Sequence, residues 1–132
     1  MIVADTNVIA SLWLPNGMEE IADQVMEKDP EWIAPVLWKS EFRNVLALYF
    51  RKEIFNLPTI LQIIEQAEAL MTLNEFQVNS TQVLSFVKDS TCSAYDCEFI
   101  ALADDAGVPL LTFDQKILTE FPSLAIHPKS FV

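Results

Sequence analysis

The hydrophobic pattern opens on a short apolar run, Met1 to Ala4, that stops at a carboxylate, Asp5. Such a run predicts a buried strand. Val8 to Trp13 reads as a short helical turn stopped by Pro15-Asn16-Gly17, and a helix follows from about Met18 to Glu27, with Ile21, Val25 and Met26 inward. Asp29-Pro30 breaks that helix, and Trp32 to Ala34 is a second short strand ended by Pro35. Val36 to Lys52 predicts a long helix, because Phe42, Val45, Leu46, Tyr49 and Phe50 recur at helical spacing. Pro58 opens another helix at a first-turn position, striped by Ile60, Ile63, Ile64, Ala67, Leu70 and Met71. Phe76 to Val78 is a third strand, and Ser80 or Thr81 caps a short helix up to about Lys88. Ser93 to Ala106 is the clearest helix: Ser93 is a good N-cap, Gly107 a good C-cap, and Val108-Pro109 stops it. Pro109 to Phe113 is a fourth strand, Asp114 to Phe121 a short helix and Leu124 to His127 a last strand.

Strands that alternate with helices predict an α/β fold. The expected architecture is a three-layer α/β/α sandwich around a central, mainly parallel five-stranded sheet, with right-handed crossovers placing helices on both faces. The length, 132 residues, suits a single domain over residues 1–132. No apolar run approaches the roughly 18 residues of a membrane span, and Asp5 interrupts the stretch where a secretory signal would continue. A soluble, cytoplasmic protein with no membrane association is therefore expected. Cys92 and Cys97 lack metal-ligand spacing and read as ordinary reduced thiols. The net charge of −11 argues against a broad basic surface for nucleic acid. Excess carboxylate is also what a bound divalent cation requires, because the ion inverts the local electrostatics.

In open α/β sheets, ligands bind outside the carboxyl ends of the strands. Four acids stand where this architecture would gather them. Asp5 ends strand one, Glu41 lies in the first turns of the helix after strand two, Asp96 lies in the first turn of the Ser93 helix, and Asp114 directly follows strand four. Hard oxygen donors of this kind suit Mg²⁺ or Mn²⁺. Each acid also has a plainer use. Asp5 with Asn7 could cap the next turn, Asp96 could complete a capping box with Ser93, Asp114 could cap its short helix, and Glu41 could be solvated. Capping alone, however, neither calls for an acid at Glu41 among apolar neighbours nor selects one sheet edge four times. The lone histidine, His127, falls in the last strand, away from these acids, and reads as structural.

Four segments carry a resemblance: Val3-Ala-Asp-Thr-Asn-Val-Ile9, Ser40-Glu-Phe-Arg-Asn-Val-Leu46, Ser93-Ala-Tyr-Asp-Cys-Glu-Phe-Ile-Ala-Leu-Ala103 and Pro109-Leu-Leu-Thr-Phe-Asp114. In order and spacing they resemble the PIN domain, a metal-dependent ribonuclease fold, and specifically the VapC toxins of type II toxin–antitoxin systems. The resemblance spans nearly the whole chain. It implies that Asp5, Glu41 and Asp96 bind metal and that Asp114 is the fourth acid, so that all four are catalytic. It implies one or two Mg²⁺ ions, with Mn²⁺ as an alternative, and in-line hydrolysis of RNA leaving a 5′-phosphate and a 3′-hydroxyl. Thr6, Asn7, Ser93 and Thr112 match polar positions around the acids and would orient carboxylates or water, although turn and capping chemistry accounts for Thr6 and Ser93 equally well. It further implies a homodimer and an antitoxin partner whose C-terminal segment docks near the active site.

Four of the eight cationic residues fall on one helix, Lys39, Arg43, Arg51 and Lys52; Lys39 and Arg43 flank Glu41, and Lys116 follows Asp114 by two. Lys39, Arg43 and Lys116 could steer phosphates toward a metal, and a solvated helix face accounts for them as well. Trp13, Trp38, Tyr49, Phe50, Phe55 and the Pro58 helix could line an interface or fill the core. Two further functions stay open: a PIN nuclease of RNA processing with no toxin role, and a catalytically silent PIN-like interaction module. A receiver domain fits worse, because Phe76-Gln-Val-Asn-Ser80 offers no phosphoacceptor Asp after the third strand.

Overall fold

Every strand of the protein is short and runs parallel to its neighbours. The computed structural model describes residues 1–132. The strands are β1 (Ile2–Ala4), β2 (Trp32–Pro35), β3 (Glu75–Phe76), β4 (Leu110–Leu111) and β5 (Ala125–Ile126), in the spatial order β3-β2-β1-β4-β5. The helices are α1 (Thr6–Ala10), α2 (Glu19–Lys28), α3 (Trp38–Arg51), α4 (Leu57–Met71), α5 (Ser80–Lys88), α6 (Ala94–Ala106), α7 (Gln115–Glu120) and α8 (Pro128–Phe131). The expected α/β sandwich is present, and the sheet is wholly parallel.

The strand order explains the layers. From β1 the chain steps outward to β2 and then β3, and right-handed crossovers put α1 to α4 on one face. It then returns past β1 to β4 and β5, which puts α5 to α7 on the other face. The direction of winding therefore reverses between β1 and β4. That switch point opens a crevice at the carboxyl ends of these two strands.

The strands read as continuous apolar runs because both faces of the sheet are covered. Val3, Ala4, Ala34, Leu110 and Leu111 are fully buried, joined by Trp32, Trp38, Phe42 and Phe99 from the layers around them. Trp38 thus fills the core rather than a surface, and its indole N–H donates to Glu75 Oε1 at 2.8 Å. Tyr49 stacks on Phe55 at 5.9 Å and is half-buried, whereas Phe50, Leu57 and Leu61 are exposed. No helix is long and apolar enough to cross a membrane.

Local chemistry moves several boundaries. Pro35 belongs to β2 instead of ending it. It has no N–H, but Ala34 and Val36 make the bonds to the β3 side, donating to Asn74 and Phe76 carbonyls, and the ladder to β1 has ended by then. Thr6 and Asn7 are already helical, because Asp5 caps α1 through its side chain. The third strand is Glu75–Phe76 rather than Phe76 to Val78, and α5 is capped by Asn79 rather than Ser80 or Thr81. The last helix, α8, is unforeseen: Pro128 occupies its first turn and His127 Nδ1 accepts from Lys129 N at 3.0 Å. His127 therefore has a structural role, but it lies at the same sheet edge as Asp5, two strands out, edge-on to Phe113 at 5.3 Å.

Candidate metal centre

β1 and β4 pair in the register Val3 to Leu110 and Ala4 to Leu111, which sets Asp5 beside Thr112 as the two strands end. Asp5 N donates to Leu111 O at 3.0 Å, so the acid's backbone is the last rung of the ladder. Its side chain is then held by two donors. Thr6 N reaches Oδ1 at 2.7 Å and the Thr112 hydroxyl reaches Oδ2 at 2.6 Å.

Those two threonines link the acids. Thr6 donates its hydroxyl to Glu41 Oε1 at 2.7 Å, tying α1 to the first turn of α3. The Thr112 hydroxyl donates to Asp5 and accepts from Asp114 N at 3.0 Å and from Asn7 Nδ2 at 3.4 Å. The Asn7 side-chain oxygen, Oδ1, in turn accepts from Phe113 N at 3.3 Å. Ser93 caps α6 by accepting from Asp96 N at 3.1 Å. Asp114 caps α7, with Oδ1 accepting from Lys116 N and Ile117 N at 2.9 and 3.2 Å. Capping and convergence are therefore compatible: Asp5 and Asp114 serve as caps, and all four acids still line one open cavity of about 460 Å³.

The electrostatics of that cavity are one-sided. Burial is the main force pushing the Asp5 carboxyl up to about 7, opposed by its hydrogen bonds from Thr112 and Thr6 and reinforced by Glu41 and Asp96. Burial also raises Glu41 above the usual carboxylate range, against the Thr6 hydrogen bond and with help from Asp96 and Glu98. Asp96 is raised by burial and by the Asp114 charge, against Ser93 and Lys116. The ion pairs of the protein are Met1 with Asp29, Lys39 with Glu75 and Arg43 with Glu68. None involves the four acids.

This donor set fits a hard divalent cation: all oxygen, partly desolvated and short of positive charge. No group of three or more His, Cys, Asp or Glu side chains is already drawn together as an ion cage. Asp5, Glu41 and Asp114 each spend part of their acceptor capacity on donors within the chain. A carboxylate offers about four lone-pair sites, so each acid keeps acceptor capacity for an ion.

The basic residues divide differently from expectation. Lys39 and Arg43 flank Glu41 in sequence, but two residues along a helix is about 200° of rotation. They project away from the acids, Lys39 to Glu75 at 3.6 Å and Arg43 to Glu68 at 3.9 Å. Lys116 alone acts on the cluster, by pulling Asp96 down. The lining also includes Ser40, Asn44 and Tyr95, which the sequence reading passed over. Their signal was available: Ser40 and Asn44 lie one before and three after Glu41 on the same helical face, and Tyr95 adjoins Asp96. Cys92 and Cys97 are free and buried, and Cys92 donates to Glu120 Oε2 at 3.2 Å. Burial pushes its thiol up to about 12, so it is no thiolate ligand.

Comparisons with known proteins bear on the fold and the family. Ribonuclease VapC3 of Pyrobaculum aerophilum is 25% identical over 136 residues, covering 93% of this chain and 96% of that protein. The crystal structure of FitAcB from Neisseria gonorrhoeae superposes with a TM-score of 0.72 at 19% identity, covering 98% of this chain and 99% of that one. A toxin–antitoxin complex from Klebsiella pneumoniae gives 0.70 at 15% identity, covering 97% and 98%. A sequence model described as PIN domain matches residues 2–122, nearly the full length. The chain belongs to the PIN-domain family.

Proposed function

We propose that the protein is a divalent-metal-dependent endoribonuclease and the toxin of a VapBC-type toxin–antitoxin pair. The observation that carries the nuclease reading is the set of four acids, Asp5, Glu41, Asp96 and Asp114, lining one cavity with no cation paired to any of them. The toxin reading is supported by the relative named Ribonuclease VapC3 and by the fold shared with a toxin–antitoxin complex. A PIN nuclease of RNA processing keeps the same chemistry and differs only in its partner.

Asp5, Glu41, Asp96 and Asp114 would hold Mg²⁺ or Mn²⁺, as one or two ions. A divalent cation supplies charge against the phosphoryl oxygens and makes water acidic enough to yield a nucleophile near neutral pH. The chain's own residues do the positioning. Thr6 and Thr112 hydrogen-bond the Asp5 and Glu41 carboxylates and would limit their rearrangement during the reaction. Ser40, Asn44 and Tyr95 border the same cavity and offer neutral hydrogen-bonding groups to phosphate or ribose. Lys116, whose charge acts on Asp96, would help attract the backbone. No side chain in the cavity is a nucleophile of the cysteine or histidine kind.

The test is cleavage of total RNA with Mg²⁺, with chelator, and by the Asp5→Asn and Asp96→Asn variants. Cleavage should need the metal and should fall about 10³-fold in either variant, with the fold retained by circular dichroism. Undiminished cleavage by both variants would sink the nuclease assignment. Toxicity on expression that a co-expressed small upstream neighbour suppresses would support the toxin role, and harmless expression would favour RNA processing.

A further inference from the structure

A second concavity adjoins the acidic one. It has a volume of about 440 Å³, within the roughly 300–1,000 Å³ of small-ligand sites. Its walls are mainly apolar: Val36 after β2, Phe76 at the end of β3, and Val83 and Leu84 on α5. The two cavities share a partition. Val36 lines one and Leu37 the other, and along α6 Ala94 and Glu98 line the apolar one while Tyr95 and Asp96 line the acidic one. Helical geometry explains the split: residues 94 and 98 share a face, with Tyr95 and then Asp96 further round. Tyr95, 62% exposed, therefore stands on the ridge between the two.

Three polar side chains break the apolar lining, Gln77, Ser80 and Glu98, and Glu98 is the one charged group among them. None of the three side chains has a hydrogen-bond or ion-pair partner within the chain. A half-buried carboxylate without a partner is costly unless a donor reaches it. We infer that this cleft is a base-specificity subsite that takes a guanine from the RNA strand beside the scissile phosphate. This rests on the ribonuclease reading only for where the strand comes from.

The chemistry selects both the class and the base. Apolar walls with an exposed aromatic, Phe76 at 43% exposure, suit the faces of an unstacked nucleobase. The Glu98 carboxylate disfavours phosphate in this cleft, which leaves it to the base rather than the backbone. A carboxylate accepts only, and a bidentate bond needs two adjacent N–H groups on one edge. Guanine alone offers that, through N1–H and its 2-amino group. Adenine and cytosine place an acceptor nitrogen beside their amino group, and uracil flanks its one N–H with carbonyls.

The experiment uses six-residue oligouridylates carrying one guanosine, adenosine or cytidine. Binding to the full chain bearing Asp114→Asn is followed by fluorescence anisotropy in Mg²⁺, and cut sites of the unaltered protein are sequenced in parallel. Guanosine at one fixed position should tighten binding about tenfold over the other bases. Glu98→Gln should erase that preference, and Phe76→Ala should weaken every oligomer about tenfold. Guanosine held no tighter than the others, or a preference that Glu98→Gln leaves intact, overturns the proposal and leaves the cleft to a protein segment. Cleavage without base preference overturns the subsite and keeps the nuclease. An absence of cleavage alongside guanosine binding that depends on Glu98 keeps the subsite and overturns the nuclease.

Discussion

The two ends of β1 hold acids in opposite circumstances. At the amino end, the Met1 ammonium pairs with Asp29 at 2.6 Å, and that contact is the chief reason the Asp29 carboxyl sits below its usual range. At the carboxyl end, three residues beyond Ile2, Asp5 is buried with Glu41 and Asp96 acting on it and no cation, and its carboxyl rises to about 7. The same residue type is thus paired with a cation beside one end of β1 and left without one at the other. A fold has no use for the second arrangement as a stability device, since buried charge without a partner costs free energy. The difference is what the proposed metal site requires, with positive charge supplied from outside the chain.

The largest test is pH against metal. Asp5 is raised in the folded state from 3.8 to about 7. Between those values folded Asp5 binds more proton than it does in the unfolded chain, so its contribution to the metal-free protein's stability is full at low pH and is lost as pH rises through the window. At ~1.4 kcal/mol per pH unit the loss from Asp5 is about 4 kcal/mol, and Glu41 and Asp96 add to it in the same direction. Asp29 works the other way, losing its contribution only as pH falls through its lowered value. Urea unfolding in chelator should therefore weaken from pH 4.5 to 7.5. Mg²⁺ or Mn²⁺ at about 100 times its Kd should restore about 2.7 kcal/mol at pH 7.5 and little at pH 4.5. A profile that is flat in chelator, or a metal effect equal at both pH values, contradicts the account.

A smaller effect tests how the acidic end is held together. Thr112→Val keeps the branched shape and removes one hydroxyl, which donates to Asp5 and accepts from Asp114 N and Asn7. Loss of a bond to a charged group, with a backbone N–H left unpartnered, should cost about 2 kcal/mol. Thr112 is also the leading influence holding Asp5 down, so the variant's loss of stability with pH should continue to a higher pH than in the parent. A merely packing-related defect would lower stability equally at every pH. Chemical denaturation across the same pH range separates the two.

Much of the acidic end was legible in the sequence, because strand ends and helix starts are marked by short-range chemistry. Asp5 after an apolar run, Ser93 before α6 and Asp114 after β4 announce themselves locally. The parts that were not legible depend on rotation and on third partners. Lys39 and Arg43 adjoin Glu41 in the chain, and the helix turns them about 200° away to Glu75 and Glu68. Glu98 is two residues from Asp96 and opens onto a different cavity for the same reason. The β3, β4 and β5 strands are two residues each, shorter than their apolar runs, because an apolar run reports burial and not where the ladder stops. The His127 cap was hidden by reading Leu124 to His127 as strand throughout, although Pro128 is a standard first-turn residue.

The smallest effect belongs to the amino end, and its smallness is informative. Asp29→Asn removes the partner of the Met1 ammonium at a partly exposed site, where an ion pair is worth no more than about 1 kcal/mol. RNA cleavage should be unchanged, and stability should fall slightly at neutral pH, with the difference fading in about 1 M salt. Asp5→Asn should show the reverse on both counts: cleavage lost, and metal-free stability at pH 7.5 raised because a buried charge is gone. A parent-like response of Asp5→Asn to pH, together with a large cost for Asp29→Asn, would mean that the acid at the carboxyl edge is structural and that the contrast between the two ends of β1 has been drawn the wrong way round.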